Sequence, residues 1–230
     1  MLIEIIVTTL DEAVLAEKYG ANRLELIDSF THGGLSPDLE LTRLVCEAVT
    51  IPVNIMLRPH GESFVYSKSD IRQIVSELDY IRDNTKANGI VFGALNHLGD
   101  IDTGLLEQII ANLGHLKLTF HRAIDASSDI LDAYKTLLEY PEVDLVLTSG
   151  GAKTALEGIY TIKQMVEARE QSGKSYATVL AGSGITPDNA KYIIDSTGVE
   201  QIHLGQGVRD NGDLNQTKLS QLCNLFGYKI

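Results

Sequence analysis

The sequence predicts a single closed (β/α)8 (TIM) barrel, an α/β fold, over residues 1–230, and three observations carry the prediction. Short β-rich runs alternate with longer helical patterns eight times along the chain. Many of the β-rich runs alternate polar and apolar residues, where strands of an open sheet covered on both faces read as continuously apolar. No G-x-G-x-x-G follows the first strand, which removes the main sequence argument for an open dinucleotide-binding sheet.

Strands are expected to open near Leu2, Asn22, Val53, Gly89, Leu116, Asp144, Ala177 and Glu200. From the first to the last the steps average about 28 residues, the size of one βα unit. Helices are expected over Leu10–Tyr19, Asp38–Val49, Ser69–Arg82, Thr103–Leu113, Ile130–Glu139, Thr154–Glu170, Pro187–Ser196 and Gln216–Phe226. Ser36-Pro37-Asp38 and Thr186-Pro187-Asp188 read as helix starts, with a hydroxyl at the cap and proline in the first turn. Gly20, Gly89 and Gly198 fall where a helix stops and the next strand begins.

Composition bounds the function. The net charge is −12, so no general positive field gathers nucleic acid or an anionic membrane. No apolar run approaches the ~18 residues of a membrane helix. The first basic residue is Lys18, so a charged leader segment is not expected. Two cysteines far apart, Cys46 and Cys223, are not a disulfide framework. The expectation is a cytoplasmic protein; self-association into a homo-oligomer is compatible with the sequence.

In a barrel the polar rows of the strands point inward. Glu4, Arg23, Glu25, Asn54, Lys117 and Gln201 are expected to pair there as an internal network, joined at the top by His203. Unpaired, such buried charges would be very unfavourable.

Active sites of these barrels lie at the C-terminal strand ends. Arg58 and Arg122 close the third and fifth strands and suggest an anion-binding mouth. Thr148-Ser149-Gly150-Gly151 and Gly182-Ser183-Gly184 close the sixth and seventh, where glycine lets backbone N–H groups approach an oxyanion. His121 reads as a general base, a metal ligand or a hydrogen-bonded core histidine; as a base it would move protons there with Asp125 or Glu25. His32 and His60 lie on loops. No H-x-x-H or H-E-x-x-H occurs, so the residues themselves name no metal or cofactor. Both cysteines read as small core hydrophobes. The expected partner is a small anionic ligand or a metal ion.

Several strings resemble the copper homeostasis protein CutC family: Arg23-Leu24-Glu25-Leu26, Gly33-Gly34-Leu35-Ser36-Pro37, Met56-Leu57-Arg58-Pro59, Phe64-Val65-Tyr66-Ser67, Val91-Phe92-Gly93-Ala94-Leu95, Thr119-Phe120-His121-Arg122-Ala123, Leu147-Thr148-Ser149-Gly150-Gly151 and Ala181-Gly182-Ser183-Gly184-Ile185. The resemblance implies a (β/α)8 barrel, a cytoplasmic setting and a nominal role in copper tolerance or trafficking, with copper as the implied ligand. Two positions depart from the family pattern. Ile27 stands where cysteine is common, and Arg58-Pro59-His60-Gly61-Glu62-Ser63 replaces Arg-Pro-Arg-Gly-Gly-Asp. Three functions are thus expected in competition: a copper-homeostasis protein, an enzyme acting on a small anionic metabolite such as a phosphorylated one, and a non-catalytic binder of such a metabolite.

Overall fold

The computed structural model describes residues 1–227, so the last three residues of the expected domain lie outside the described residues. Strand and helix alternate as β1 (Leu2–Val7), α1 (Leu10–Lys18), β2 (Arg23–Leu26), α2 (Leu39–Ala48), β3 (Val53–Met56), α3 (Lys68–Asn84), β4 (Gly89–Phe92), α4 (Thr103–Asn112), β5 (Lys117–Phe120), α5 (Ile130–Leu137), β6 (Val143–Thr148), α6 (Ile159–Ser172), β7 (Thr178–Gly182), α7 (Ala190–Thr197), β8 (Gln201–Leu204) and α8 (Gln216–Leu225). The strands form a closed parallel barrel in sequence order. β8 pairs back onto β1, with Leu2 opposite Gln201 and Glu4 opposite His203. The fold is the (β/α)8 barrel.

Side chains at the helix N-termini satisfy N–H groups that helix geometry leaves open. Thr9, Asp38, Asp102, Asp129 and Asn215 each accept from the first turn of their helix. Ser67 and Asp70 form a reciprocal capping box on α3.

Three expected helix starts move. Asp38, not Ser36, caps α2. Helix α6 begins at Ile159 instead of Thr154, because residues 152–158 turn back across the ends of β6 and β7. Ala155 N–H donates to the Ser183 carbonyl at 2.9 Å, and a Cβ on Gly158 would sit 1.8 Å from the Ser149 carbonyl oxygen. Helix α7 begins at Ala190 instead of Pro187. Asn189 accepts from Thr186 N–H and donates to the Gly184 carbonyl, and this stapled turn replaces the first helical turn.

Alternating strand faces separate two interiors. Leu24, Leu26, Ile55, Leu118, Phe120, Ile202 and Leu204 belong to the main core under the helices. Inside the barrel lie two smaller apolar clusters, Ile27–Met56–Val91 and Leu145–Leu147–Leu180. Beside them, Glu4, Arg23, Glu25, Asn54 and His203 are buried. The polar rows do face inward, with one correction: Lys117 does not join the network. As the first residue of β5 it sits at the N-terminal rim, 58% exposed, with Asp144 3.8 Å away. Arg23 already holds Glu4. A second cation inside would lack a counter-charge to offset its lost hydration, whereas the rim keeps it in water.

Candidate functional site at the C-terminal mouth

A cavity of about 550 Å³ opens at the C-terminal strand ends, the size of a small-metabolite site. Glu25, Arg58, His121, Arg122, Asp125 and His203 all border it, so six residues scattered over the chain converge as expected. Ser183 and Gly184 also line it; Thr148, Ser149, Gly150, Gly151 and Gly182 do not.

Arg58 is fixed from several sides. Ser36 brackets its backbone, donating its N–H to the Arg58 carbonyl at 2.9 Å and accepting the Arg58 N–H on its hydroxyl at 3.0 Å. That hydroxyl is itself oriented by Glu77 at 2.7 Å. The guanidinium lies over the Phe64 ring, 4.6 Å from its centroid, and donates from Nη1 to the His32 carbonyl at 2.6 Å. His32 holds this carbonyl in a left-handed backbone conformation, φ 55°. Arg58 is only 7% exposed and its Nε–H has no partner. Burial lowers its pKa, but an arginine stays cationic.

His121 is buried with its Nδ1 accepting from Ala123 N–H at 3.1 Å. The proton of the neutral ring is therefore on Nε2, which has no partner. Burial, and then the Arg58 charge, push its pKa down to about 3. His121 is thus a neutral hydrogen-bond donor at physiological pH, and the base role expected from sequence does not suit it. Gly93 makes room for the ring: a Cβ there would lie 2.5 Å from His121 Nδ1.

The glycine turn after β6 is already filled. The carboxylate of Asp125 accepts from Thr148 Oγ1 at 2.5 Å, Ser149 Oγ at 2.9 Å, Gly151 N–H at 3.0 Å and Arg122 Nε at 2.8 Å. Gly150 N–H donates to Thr148 Oγ1 at 2.8 Å. Expected to receive an external anion, these amides are occupied internally, Gly151 by the Asp125 carboxylate and Gly150 by the Thr148 hydroxyl. Asp125 therefore has its oxygens committed to donors of its own chain. Arg122, 41% exposed on its side chain, is tied to Asp125 and donates to Ser149 Oγ at 2.9 Å. Gly182 serves packing: a Cβ there would stand 2.6 Å from Leu147 and 3.2 Å from the His203 ring. Ser183 donates to the Lys153 carbonyl.

Below the cavity runs a buried chain of charges. Arg23 binds Glu4 through Nε and donates from Nη2 to Gln201 at 3.0 Å. Asn54 Nδ2 approaches Glu4 at 3.4 Å. His203 Nδ1 lies 2.7 Å from Glu4 Oε1, and its Nε2 lies 3.6 Å from Glu25 Oε2. Burial alone would raise Glu4, but Arg23 and His203 outweigh it and hold the carboxyl at about 2. Burial pushes Glu25 up to about 7 against the attraction of His203. Burial alone would lower His203, but Glu25 and Glu4 outweigh it and raise it. Glu25 Oε1 has no partner. A carboxyl titrating near neutrality at a cavity edge suits proton transfer.

Glu4, Glu25 and His203 are the one group among the described residues whose ligand atoms approach closely enough for a metal. The two carboxylates, however, meet opposite nitrogens of the imidazole, and Glu4 is engaged by Arg23. That is the geometry of a relay, not of ligands converging on one ion. Phe30, Phe64, Ser36 and Gln206 were missed as site residues. Only Phe64 and Ser36 lay in strings singled out by sequence, and nothing local marked them as supports of Arg58.

Comparisons with known proteins fit this architecture. The sequence model of the CutC family matches residues 1–208. A human copper homeostasis protein cutC homolog is 36% identical over 212 residues, covering 92% of this chain and 76% of the relative. The family protein CutC of Treponema denticola is 40% identical over 202 residues, covering 88% and 80%. Among solved structures, CutC of Streptococcus agalactiae superposes with a TM-score of 0.81 at 27% identity, over 91% of this chain and all (100%) of that one. Phosphoribosyl anthranilate isomerase of Thermococcus kodakaraensis reaches 0.66 at 18% identity, over 99% of each chain, and shares the fold. The match over most of the chain, together with the barrel and its mouth, places this protein in the CutC family.

Proposed function

We propose that the mouth binds a small organic anion, a carboxylate or phosphate ester, with Arg58 as its principal counter-charge. One observation carries this: Arg58 Nε, His121 Nε2 and Glu25 Oε1 are buried without partners and their side chains border one cavity. Buried polar atoms are ordinarily satisfied, and unpaired ones are unfavourable by about 1–3 kcal/mol each. A ligand supplying acceptors to Arg58 and His121 and a partner to Glu25 relieves all three.

The relatives' names point to copper, and the donor set of this chain does not fit it. Cu(I) favours thiolate and thioether ligands. Cys46 and Cys223 are buried on α2 and α8, and burial pushes each thiol up to about 11. Ile27 faces the cavity where the family commonly carries cysteine, leaving Met56 as the one sulfur in the lining among the described residues. Under this reading the copper-homeostasis name of the relatives is met through a metabolite, in the cytoplasm, and not by the ion in this barrel. Two unpaired thiols support that setting.

The test is calorimetric titration with inorganic phosphate and with 2-oxobutyrate, on the wild type and on Arg58→Gln. A charge-assisted hydrogen bond is worth about 1.5–3 kcal/mol, so Arg58→Gln should weaken binding roughly 10- to 150-fold. Equal affinity in both proteins, or no binding at millimolar ligand, refutes the reading.

A further inference from the structure

Three side chains bordering the mouth each keep a buried, unpartnered polar atom, Glu25 Oε1, Arg58 Nε and His121 Nε2, and this combination selects among reactions. Asp125 is saturated by its donors, leaving Glu25 as the unengaged carboxyl of the lining. Ser183, the one hydroxyl-bearing side chain bordering the cavity among the described residues, donates to a backbone carbonyl, so none of those residues presents an activated nucleophile to the ligand. Glycoside hydrolysis needs two working carboxyls, which the mouth does not offer. A lone carboxylate base together with a neutral imidazole donor suits proton removal beside a carbonyl, where negative charge develops on oxygen.

Resting on the anion-binding reading, we propose that this chain enolises a small anionic carbonyl compound, a 2-oxo acid or an α-hydroxyketone phosphate. Glu25 Oε1 takes the proton from the carbon next to the carbonyl. The C–H pair becomes the C=C bond, and the carbonyl π pair moves onto oxygen. The enolate oxygen accepts hydrogen bonds from Arg58 Nε–H and His121 Nε2–H. Return of the proton from Glu25 to carbon restores the substrate, so the step balances without a co-reactant. Apolar Ile27, Met56, Phe64 and Ile185 line the same cavity, which strengthens the hydrogen bonds to the developing charge. His203, 3.6 Å from Glu25 Oε2 and 2.7 Å from Glu4, stands behind the base and passes the abstracted proton out to solvent and a solvent proton in while the enolate is bound.

The experiment is α-proton exchange in D2O followed by proton NMR, with 2-oxobutyrate and dihydroxyacetone phosphate as separate probes. Wild-type protein should wash out the α-proton signal of at least one probe well above the buffer rate. Glu25→Gln, which mimics the neutral carboxyl in shape, should slow exchange about 10²–10⁴-fold while binding persists. His121→Gln should slow it about 10²–10³-fold. Circular dichroism confirms folding of each variant. If either probe binds in an Arg58-dependent way yet both keep their α protons, enolisation falls and anion binding stands. If neither binds, both fall. Exchange at the wild-type rate in Glu25→Gln also overturns the proposal.

Discussion

Replacing Glu25 with glutamine should flatten the dependence of stability on pH near neutrality. An exposed glutamate titrates near 4.5, whereas Glu25 titrates near 7 because burial disfavours its charge. Each tenfold difference in proton affinity between folded and unfolded chains is about 1.4 kcal/mol, so this group contributes roughly 3 kcal/mol. The folded state binds the proton more tightly. Its contribution is therefore fully present below 4.5 and is lost as pH rises through 7. His203 acts in the same direction: its raised pKa favours the folded state at low pH and that contribution fades above 6.5. Since Glu25 is the leading cause that raises His203, Glu25→Gln diminishes both contributions. The assay is urea unfolding followed by far-ultraviolet circular dichroism, since the chain has no tryptophan, at pH values from about 5 to about 8. Wild-type stability should fall by up to roughly 3 kcal/mol across that range, and the variant should change far less. A wild-type profile as flat as the variant's, or a variant that keeps the full decline, would refute the assignment of the neutral titration to Glu25.

Other substitutions test the supports. Gly93→Ala places a methyl 2.5 Å from His121 Nδ1, so the ring must move; overpacking of this kind lowers stability by about 1–3 kcal/mol, read from the urea midpoint. Glu4→Gln leaves Arg23 without its counter-charge and should cost about 3–5 kcal/mol near neutral pH; it should also flatten the acid limb, because the Glu4 contribution is present above 4.5 and lost as pH falls towards 2. Lys117→Met should change stability by less than about 0.5 kcal/mol, the surface range, and a larger loss would return Lys117 to the internal network. Anaerobic Cu(I) titration should give the same stoichiometry for wild type and Cys46→Ala/Cys223→Ala; a tight one-to-one site lost only in the double variant would restore the thiols as ligands.

The barrel was legible because its signal is repeated. Each strand shows a period of two and each helix a longer period, so an error in one element does not disturb the sum. Inward placement of Arg23, Glu25 and Asn54 followed from strand parity alone, since neighbouring positions cannot share a face. The exception of Lys117 was not legible, because parity gives the face but not the height. One residue nearer the rim exchanges a buried site for water. Helix starts at Thr154 and Pro187 were misread for a different reason. The capping residues fit a helix locally, but tertiary hydrogen bonds to Ser183 and Gly184 drew those turns onto the strand ends.

The glycine turn after β6 shows why the mouth was only half legible. Sequence marks Gly150-Gly151 as able to bind an oxyanion, and the structure agrees, but the oxyanion is Asp125, contributed by the turn after β5. A donor-rich loop and a nearby carboxylate satisfy each other whenever the fold brings them together, and one-dimensional reading cannot see that meeting. The consequence is selective. Arg122 is balanced by Asp125, and Arg23 by Glu4, while Arg58 faces the cavity with only a carbonyl and an aromatic ring. A chain of net charge −12 that nonetheless keeps this cation unbalanced repels anions at long range and attracts them at one point. Under the proposed reading, a ligand of this mouth carries negative charge of its own, fits about 550 Å³ and offers acceptors to two donors at once.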